Sequence, residues 1–165
     1  MLVALCLPIL THATTSKTSD QKLTQMVAGI ISYTQWPQLS EPVHVCVIDS
    51  PYYFGVLSTL QSQPTQRIRV SAKTAQTEDL TQQCHVLFFE QTPPVQQQAI
   101  INQRGVHQIL TLTLNNPSCA VGSSFCIQIA QGQPSFSLNL DSLKQSGVKI
   151  SSRVLILAKP SPVQE

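Results

Sequence analysis

His85-Val86-Leu87-Phe88-Phe89 runs from a histidine straight through four large apolar side chains without a polar break. A strand with one wet face alternates apolar and polar residues, so a run without alternation needs apolar cover on both faces, as in a parallel sheet packed between helices. Upstream, Val43-His44-Val45-Cys46-Val47-Ile48 is a second, β-branched run. It meets Asp49-Ser50-Pro51, a combination that caps and opens a helix, and Tyr52 to Leu60 reads as that helix. Between the two runs, Arg67 to Val70 reads as a short strand and Thr77 to Thr81 as a helical turn. Downstream, Pro93-Pro94 opens a helix through Asn102 that Gly105 ends, and Val106 to Thr113 returns as a strand. Strands that alternate with helices predict crossover connections and a parallel sheet.

At the start of this pattern, Leu23, Met26, Val27, Ile30 and Ile31 recur at helical spacing within Asp20–Thr34. Trp36-Pro37 stops that helix, because the residue before proline avoids the helical region and proline donates no hydrogen bond. Trp36 is expected to pack the helix end onto the sheet or to face a partner. The last third differs. Phe125 to Ala130 and Ser135 to Leu140 are strand-like runs joined by Gln131-Gly132-Gln133-Pro134, the signature of a hairpin. A short helix ending at Gly147 follows, and Ser151 or Ser152 caps a final run through Ala158 that reads as a helix or a strand. The expected fold is α/β: a mostly parallel, Rossmann-like sheet flanked by helices, with a C-terminal antiparallel hairpin at one edge.

The 165 residues are the size of one domain. Charged residues make up 11% against roughly 25% in an ordinary soluble domain, and hydrophobic residues 42%, so the chain can bury a core. Net charge is +2, with Lys and Arg scattered singly or in twos. No basic stripe of the kind a phosphate backbone requires is present, which argues against nucleic-acid binding. Gln, Ser, Thr and Asn carry the polarity, and the run Gln96-Gln97-Gln98 reads as solubilising surface.

Leu2 to Leu10 is an almost unbroken apolar run ending at Thr11-His12-Ala13. It is too short to cross a bilayer as a helix, and residues 1–13 are expected to be a secretory signal peptide, with one domain over residues 19–159. Removing that segment takes Cys6 and leaves Cys46, Cys84, Cys119 and Cys126, an even count that suggests disulfides in an exported chain. Three pairings exist on paper. Cys119 and Cys126 flank a short loop in which Gly122 can turn the chain, so their local pairing is easiest and leaves Cys46 for Cys84. Zinc is the competing reading, but there is no Cys-x-x-Cys, and only His85 stands beside a cysteine at ligand spacing.

Catalytic signatures are scarce. No Gly-x-Gly-x-x-Gly, Walker, Gly-x-Ser-x-Gly or His-Glu-x-x-His pattern occurs, so no cofactor and no catalytic residue is assigned. Asp49, Glu90 and Asp141 fall at strand ends, where a carboxylate caps a helix or faces solvent; His44, His85 and His107 stand at strand starts as structural imidazoles. Two classes remain: a regulatory binding module, and a small-ligand carrier using the crevice at the strand carboxyl ends near Asp49-Ser50 and Glu90-Gln91.

The ordered set Ser32-Tyr33-Thr34-Gln35-Trp36-Pro37, Val45-Cys46-Val47-Ile48, Cys84-His85-Val86-Leu87-Phe88, Cys119, Phe125-Cys126, Phe136-Ser137-Leu138-Asn139-Leu140, Ser146-Gly147-Val148 and Ser151-Ser152-Arg153-Val154-Leu155 resembles the YfiR family of exported bacterial proteins. It spans nearly all of the chain after the apolar run, and its order together with the cysteine spacings is more specific than any single motif. The resemblance implies a periplasmic repressor that docks on the periplasmic domain of a YfiN-type membrane diguanylate cyclase and lowers cyclic-di-GMP and biofilm formation. It also implies a YfiB-type outer-membrane lipoprotein as a second partner, leaves room for a homodimer, and maps the family disulfides onto Cys46 with Cys84 and Cys119 with Cys126. Trp36 and Arg153, which stand in the quoted motifs, are the residues expected to bind a partner.

Overall fold

The computed structural model describes residues 12–37, 39–40, 42–62 and 67–158. The apolar run at 2–10, on which the expected signal peptide rests, lies outside the described residues. The chain opens with α1 (His12–Ser32), β1 (Thr34–Gln35), β2 (Val43–Ile48), α2 (Pro51–Leu57) and a 3-10 turn over Ser58–Ser62. Next come β3 (Ile68–Lys73), α3 (Leu80–Gln83), β4 (Val86–Phe89), α4 (Pro94–Asn102) and β5 (Leu110–Thr113). The hairpin strands β6 (Phe125–Ala130) and β7 (Gln133–Leu138) follow, then α5 (Leu140–Gln145), β8 (Lys149–Ile150) and a 3-10 segment over Ser152–Ala158. No helix among the described residues is long and apolar enough to cross a membrane.

The fold is mixed α/β. Six strands form the main sheet in the order β3-β2-β4-β5-β6-β7. All neighbours are parallel except β6 and β7, which are antiparallel. The reason for the unbroken apolar runs is visible in how side chains alternate across the pleat. Val45, Val47, Val86, Phe88, Leu110, Leu112, Phe125 and Ile127 join Leu23, Val27 and Ile30 of α1 in one core. Cys46, Ile48, Leu87 and Phe89 point the other way, into a smaller core with Leu80, Cys84, Ile100 and Ile109. A side chain such as Phe88 or Leu112, fully buried, contributes up to about 1.5–3 kcal/mol, so the two layers hold the sheet from both faces.

Several local expectations shift. The first helix begins at His12 and ends at Ser32 instead of running from Asp20 to Thr34, because Thr34 and Gln35 pair antiparallel with Ile150 and Lys149 as a small second sheet. That pairing closes a long sequence distance which local propensity does not encode. The expected helix through Leu60 tightens to 3-10 geometry from Ser58, and the short strand extends to Lys73. The helical turn moves to Leu80–Gln83, after Asp79 takes a left-handed φ of 56°. Val106 to Ile109 is not strand: Val106 is 93% exposed, and the backbone closes a turn through His107 N–H to Arg104 O at 3.0 Å. The hairpin's second strand is Gln133–Leu138, since Asn139 leaves the sheet to cap α5 through its side chain on Ser142 N. The final run is a 3-10 helix.

Candidate functional site

Parallel pairing of β2 with β4 sets Val45 opposite Val86 and joins His85 N–H to His44 O at 2.8 Å, which carries Cys84 alongside β2. Cys46 and Cys84 form a disulfide with Cα atoms 5.9 Å apart, inside the ordinary span of about 4.4–6.8 Å. His44 lies over it. Its Nδ1 meets the Gln83 carbonyl at 2.7 Å and its Nε2 the Ser71 hydroxyl at 2.9 Å, while Nε2 stands 4.0 Å from Cys46 Sγ. Burial holds this imidazole below its ordinary pKa; the Gln83 carbonyl opposes the effect, and the Arg69 and Lys73 charges add to it. Neutral His44 therefore donates from Nδ1 to Gln83 and accepts from Ser71 at Nε2, joining β2, β3 and the approach to β4. His44 N–H in turn donates to His85 Nδ1 at 2.9 Å, which fixes the orientation of the second ring.

The second disulfide, Cys119–Cys126, has a Cα separation of 5.7 Å and closes the loop that leads into β6. Gly122 turns this loop at a φ of +91°, and a Cβ there would meet Pro94 O and Gln97 Oε1 at 2.9 Å. Gln97 is fully buried, correcting its expected place on the solubilising surface. Its Nε2 donates to Thr92 O at 2.7 Å and to Thr113 Oγ1 at 3.0 Å; its Oε1 accepts from Ser123 N–H at 3.2 Å and Ser123 O–H at 2.8 Å. One amide thus uses every donor and acceptor to seat the disulfide loop on α4 and β5. Sequence reading could have found it, because Gln97, Ile100 and Ile101 stand at the i, i+3, i+4 spacing of a single helix face.

At the carboxyl ends of the strands, the polar side chains are spent on structure. Ser50 is the N-cap of α2, accepting from Tyr53 N–H at 3.3 Å and donating to the Glu90 carboxylate, so it bridges the ends of β2 and β4. Asp49, expected to cap, instead sits at a left-handed φ of 51° and accepts from Ala75 N–H at 3.0 Å. A cavity of about 440 Å³ remains beside them, between Asp49, Phe54 and Lys73.

The 3-10 segment at the C-terminal end presents two faces. Val154 is buried in the main core, and Leu157 packs over Gly29, where a Cβ would stand 2.7 Å from its Cδ1. Arg153 is exposed, as are Leu155 at 51% and Ile156 at 66%. Trp36 lies elsewhere, half-buried against the main core after β1. The structure therefore does not bring the two expected partner residues together on one element.

The family model described as YfiR/HmsC-like matches residues 21–159. The chain belongs to this family. The match begins within α1 and ends just past the 3-10 segment, so the YfiR/HmsC-like unit takes in both disulfides, Trp36, Gln97 and the Arg153-to-Ile156 surface. Gln97 beside the second disulfide and the exposed pair Leu155 and Ile156 are features of this YfiR/HmsC-like chain that sequence reading did not single out, whereas His44, expected as a structural imidazole, lies over the first disulfide.

Proposed function

We propose that this YfiR/HmsC-like protein is a periplasmic regulatory binding protein, not an enzyme. In this reading it docks on the periplasmic domain of a YfiN-type diguanylate cyclase, lowers cyclic-di-GMP and biofilm formation, and is released by a YfiB-type outer-membrane lipoprotein. The observation that carries it is the surface of the 3-10 segment. Leu155 and Ile156 expose large apolar side chains two and three positions after the exposed Arg153, while Val154 and Leu157 anchor the same segment. Adjacent exposed aliphatics next to an arginine match the anchors of protein interfaces, where apolar contact supplies affinity and arginine supplies directed hydrogen bonds. The two disulfides support an oxidising compartment. Trp36 is the second proposed partner residue; it stands on the segment after β1 and not on the 3-10 segment. The carrier reading has less support, because Ser50 and Glu90 tie off the crevice between β2 and β4.

The test is co-purification of the protein with the periplasmic domain of a YfiN-type cyclase, alongside cellular cyclic-di-GMP. Leu155→Asp with Ile156→Asp should abolish capture and raise cyclic-di-GMP, while the urea midpoint stays near that of the parent because both side chains are exposed. Arg153→Glu should weaken capture. Full capture and full repression by the double variant would overturn the reading.

A further inference from the structure

A second cavity, of about 450 Å³, opens at the amino end of the sheet, opposite the crevice in which α/β folds ordinarily bind ligands. Trp36 lines it together with Gln82, Cys84, His85, His107 and Gln108, drawn from the segment after β1, from α3 and from the approaches to β4 and β5. Trp36 Nε1–H is buried and finds no acceptor among the described residues. Proteins rarely leave a buried donor unmet, since its lost hydration is not repaid, so an unpartnered one on a residue that lines a cavity marks where an acceptor from outside belongs.

The remaining wall is already fixed in place. The Cys46–Cys84 bridge backs the cavity, and His85 is oriented by the hydrogen bond that its Nδ1 accepts from His44 N–H. Gln82 Nε2 donates one hydrogen to Asp79 Oδ1 at 3.1 Å, which holds the amide in place while its oxygen and second N–H stay available. The turn carrying His107 and Gln108 is shaped by Gly105 at a φ of +58°, and by Arg104, whose guanidinium donates to Gly105 O and His107 O at 3.3 Å. The stem of Gln108 packs against Gly147, where a Cβ would stand 3.3 Å from its Cγ. Binding would therefore need little reordering beyond a turn of the Trp36 indole that brings its buried N–H to the cavity.

The lining selects the chemistry of the ligand. No Lys, Arg, Asp or Glu is among the described residues that line the cavity, so an ion entering it would leave water without a counter-charge. The indole offers only a donor, whereas the amides and imidazoles supply both donors and acceptors. The volume lies toward the small end of the roughly 300–1,000 Å³ of known ligand sites. We propose that this cavity binds an uncharged, hydroxyl- or acetamido-bearing ring of monosaccharide size, one of whose oxygens accepts the Trp36 Nε1–H. This site is additional to the docking surface on the 3-10 segment and does not depend on it.

Trp36 is the only tryptophan, so the ¹⁵N-labelled protein has a single indole N–H resonance that reports on the site. Titration with N-acetylglucosamine and with glucose should move that resonance saturably for at least one of the two, while glucuronate, a charged ring of the same size, should not. Gln82→Ala and His107→Ala change exposed side chains and should keep the parent's urea midpoint, while each weakens the response to the bound sugar by roughly five- to tenfold, the loss of one hydrogen bond. No saturable movement with either sugar, an equal response to glucuronate, or unchanged affinity in both folded variants would overturn the proposal. None of these readouts involves the cyclase, so failure here and failure of the regulatory reading are separate results.

Discussion

Gln97 Oε1 accepts a hydrogen bond from Ser123 Oγ at 2.8 Å, joining residues 26 apart in sequence inside the core. Through this contact the helix α4 holds the loop that the Cys119–Cys126 bridge closes, so the bridge and the amide constrain the same segment from opposite sides. A bridge limits how far the loop can open, and the amide determines where the closed loop rests.

Gln97→Leu keeps the volume but leaves Ser123 and Thr113 without their buried partner. The expected cost is about 2–4 kcal/mol, from one or two unmet polar groups at roughly 1–3 kcal/mol each. Urea unfolding measures it, with exposed Gln96→Ala as the comparison, expected within about 0.5 kcal/mol of the parent. Equal midpoints for the two variants would show that the amide is dispensable.

Gly29 is the point where the 3-10 segment touches α1. Alanine there meets only the flexible end of Leu157, and its gain in helix propensity, up to about 1 kcal/mol, offsets the small shift. Gly29→Leu should cost about 1–3 kcal/mol by overpacking and should dislodge the segment. Limited trypsin digestion reads this directly: cleavage at Arg153 should accelerate in Gly29→Leu and not in Gly29→Ala.

The two bridges should differ in their contribution to global stability. Cys46 and Cys84 are 38 residues apart and Cys119 and Cys126 only 7, so in the chain-entropy model the first closure is worth roughly 4 kcal/mol and the second roughly 2.5. Replacing each pair by serine should lower the urea midpoint more for Cys46/Cys84. Hydrogen exchange in the Cys119/Cys126 variant should rise mainly in the loop and the adjoining hairpin. If reduction is a regulatory signal, both variants should also raise cyclic-di-GMP; unchanged midpoints and unchanged cyclic-di-GMP in both would leave the bridges neither staples nor switch.

His44 makes stability depend on pH in a defined direction. Burial keeps its folded pKa below the unfolded value of 6.5, so below about pH 6.5 the unfolded chain binds a proton that the folded chain refuses. The protein should lose stability as pH falls from 6.5 toward the folded pKa, with no contribution from this group above both values. His44→Gln should flatten that part of the profile in urea midpoints taken at intervals from pH 7.5 to 5; an identical slope in the variant would exclude His44 as its source.

Much of the layered architecture was legible because burial on both faces leaves a mark on every residue of a strand. The runs at 43–48 and 85–89 contain too little polarity to lie anywhere except the middle of a sheet, and the spacing from Leu23 to Ile31 is that of one helix face. Proline and glycine punctuation located most helix ends. Less legible were segments whose conformation depends on distant partners. Thr34 and Gln35 became strand only because Lys149 and Ile150 lie alongside, and Val106 to Ile109 has strand-like composition but turns where Arg104 binds the Gly105 and His107 carbonyls.

What the sequence determined by itself was the α/β alternation, the central strands and the family, because these rest on periodicity, on residue order and on short-range backbone preference. The tertiary structure alone decided which polar residues are buried and what they serve. In Gln96-Gln97-Gln98 three identical side chains have the same intrinsic chemistry, yet only the middle one is fully buried in a ring of donors and acceptors. Ser50 and not Asp49 takes the cap of α2, and His44 acquires its depressed pKa from burial among other elements, with the Arg69 and Lys73 charges adding to it against the pull of the Gln83 carbonyl. Hydrogen bonding and desolvation fall off within a few ångströms, so their outcome is fixed by neighbours in space, which the order of residues along the chain does not record.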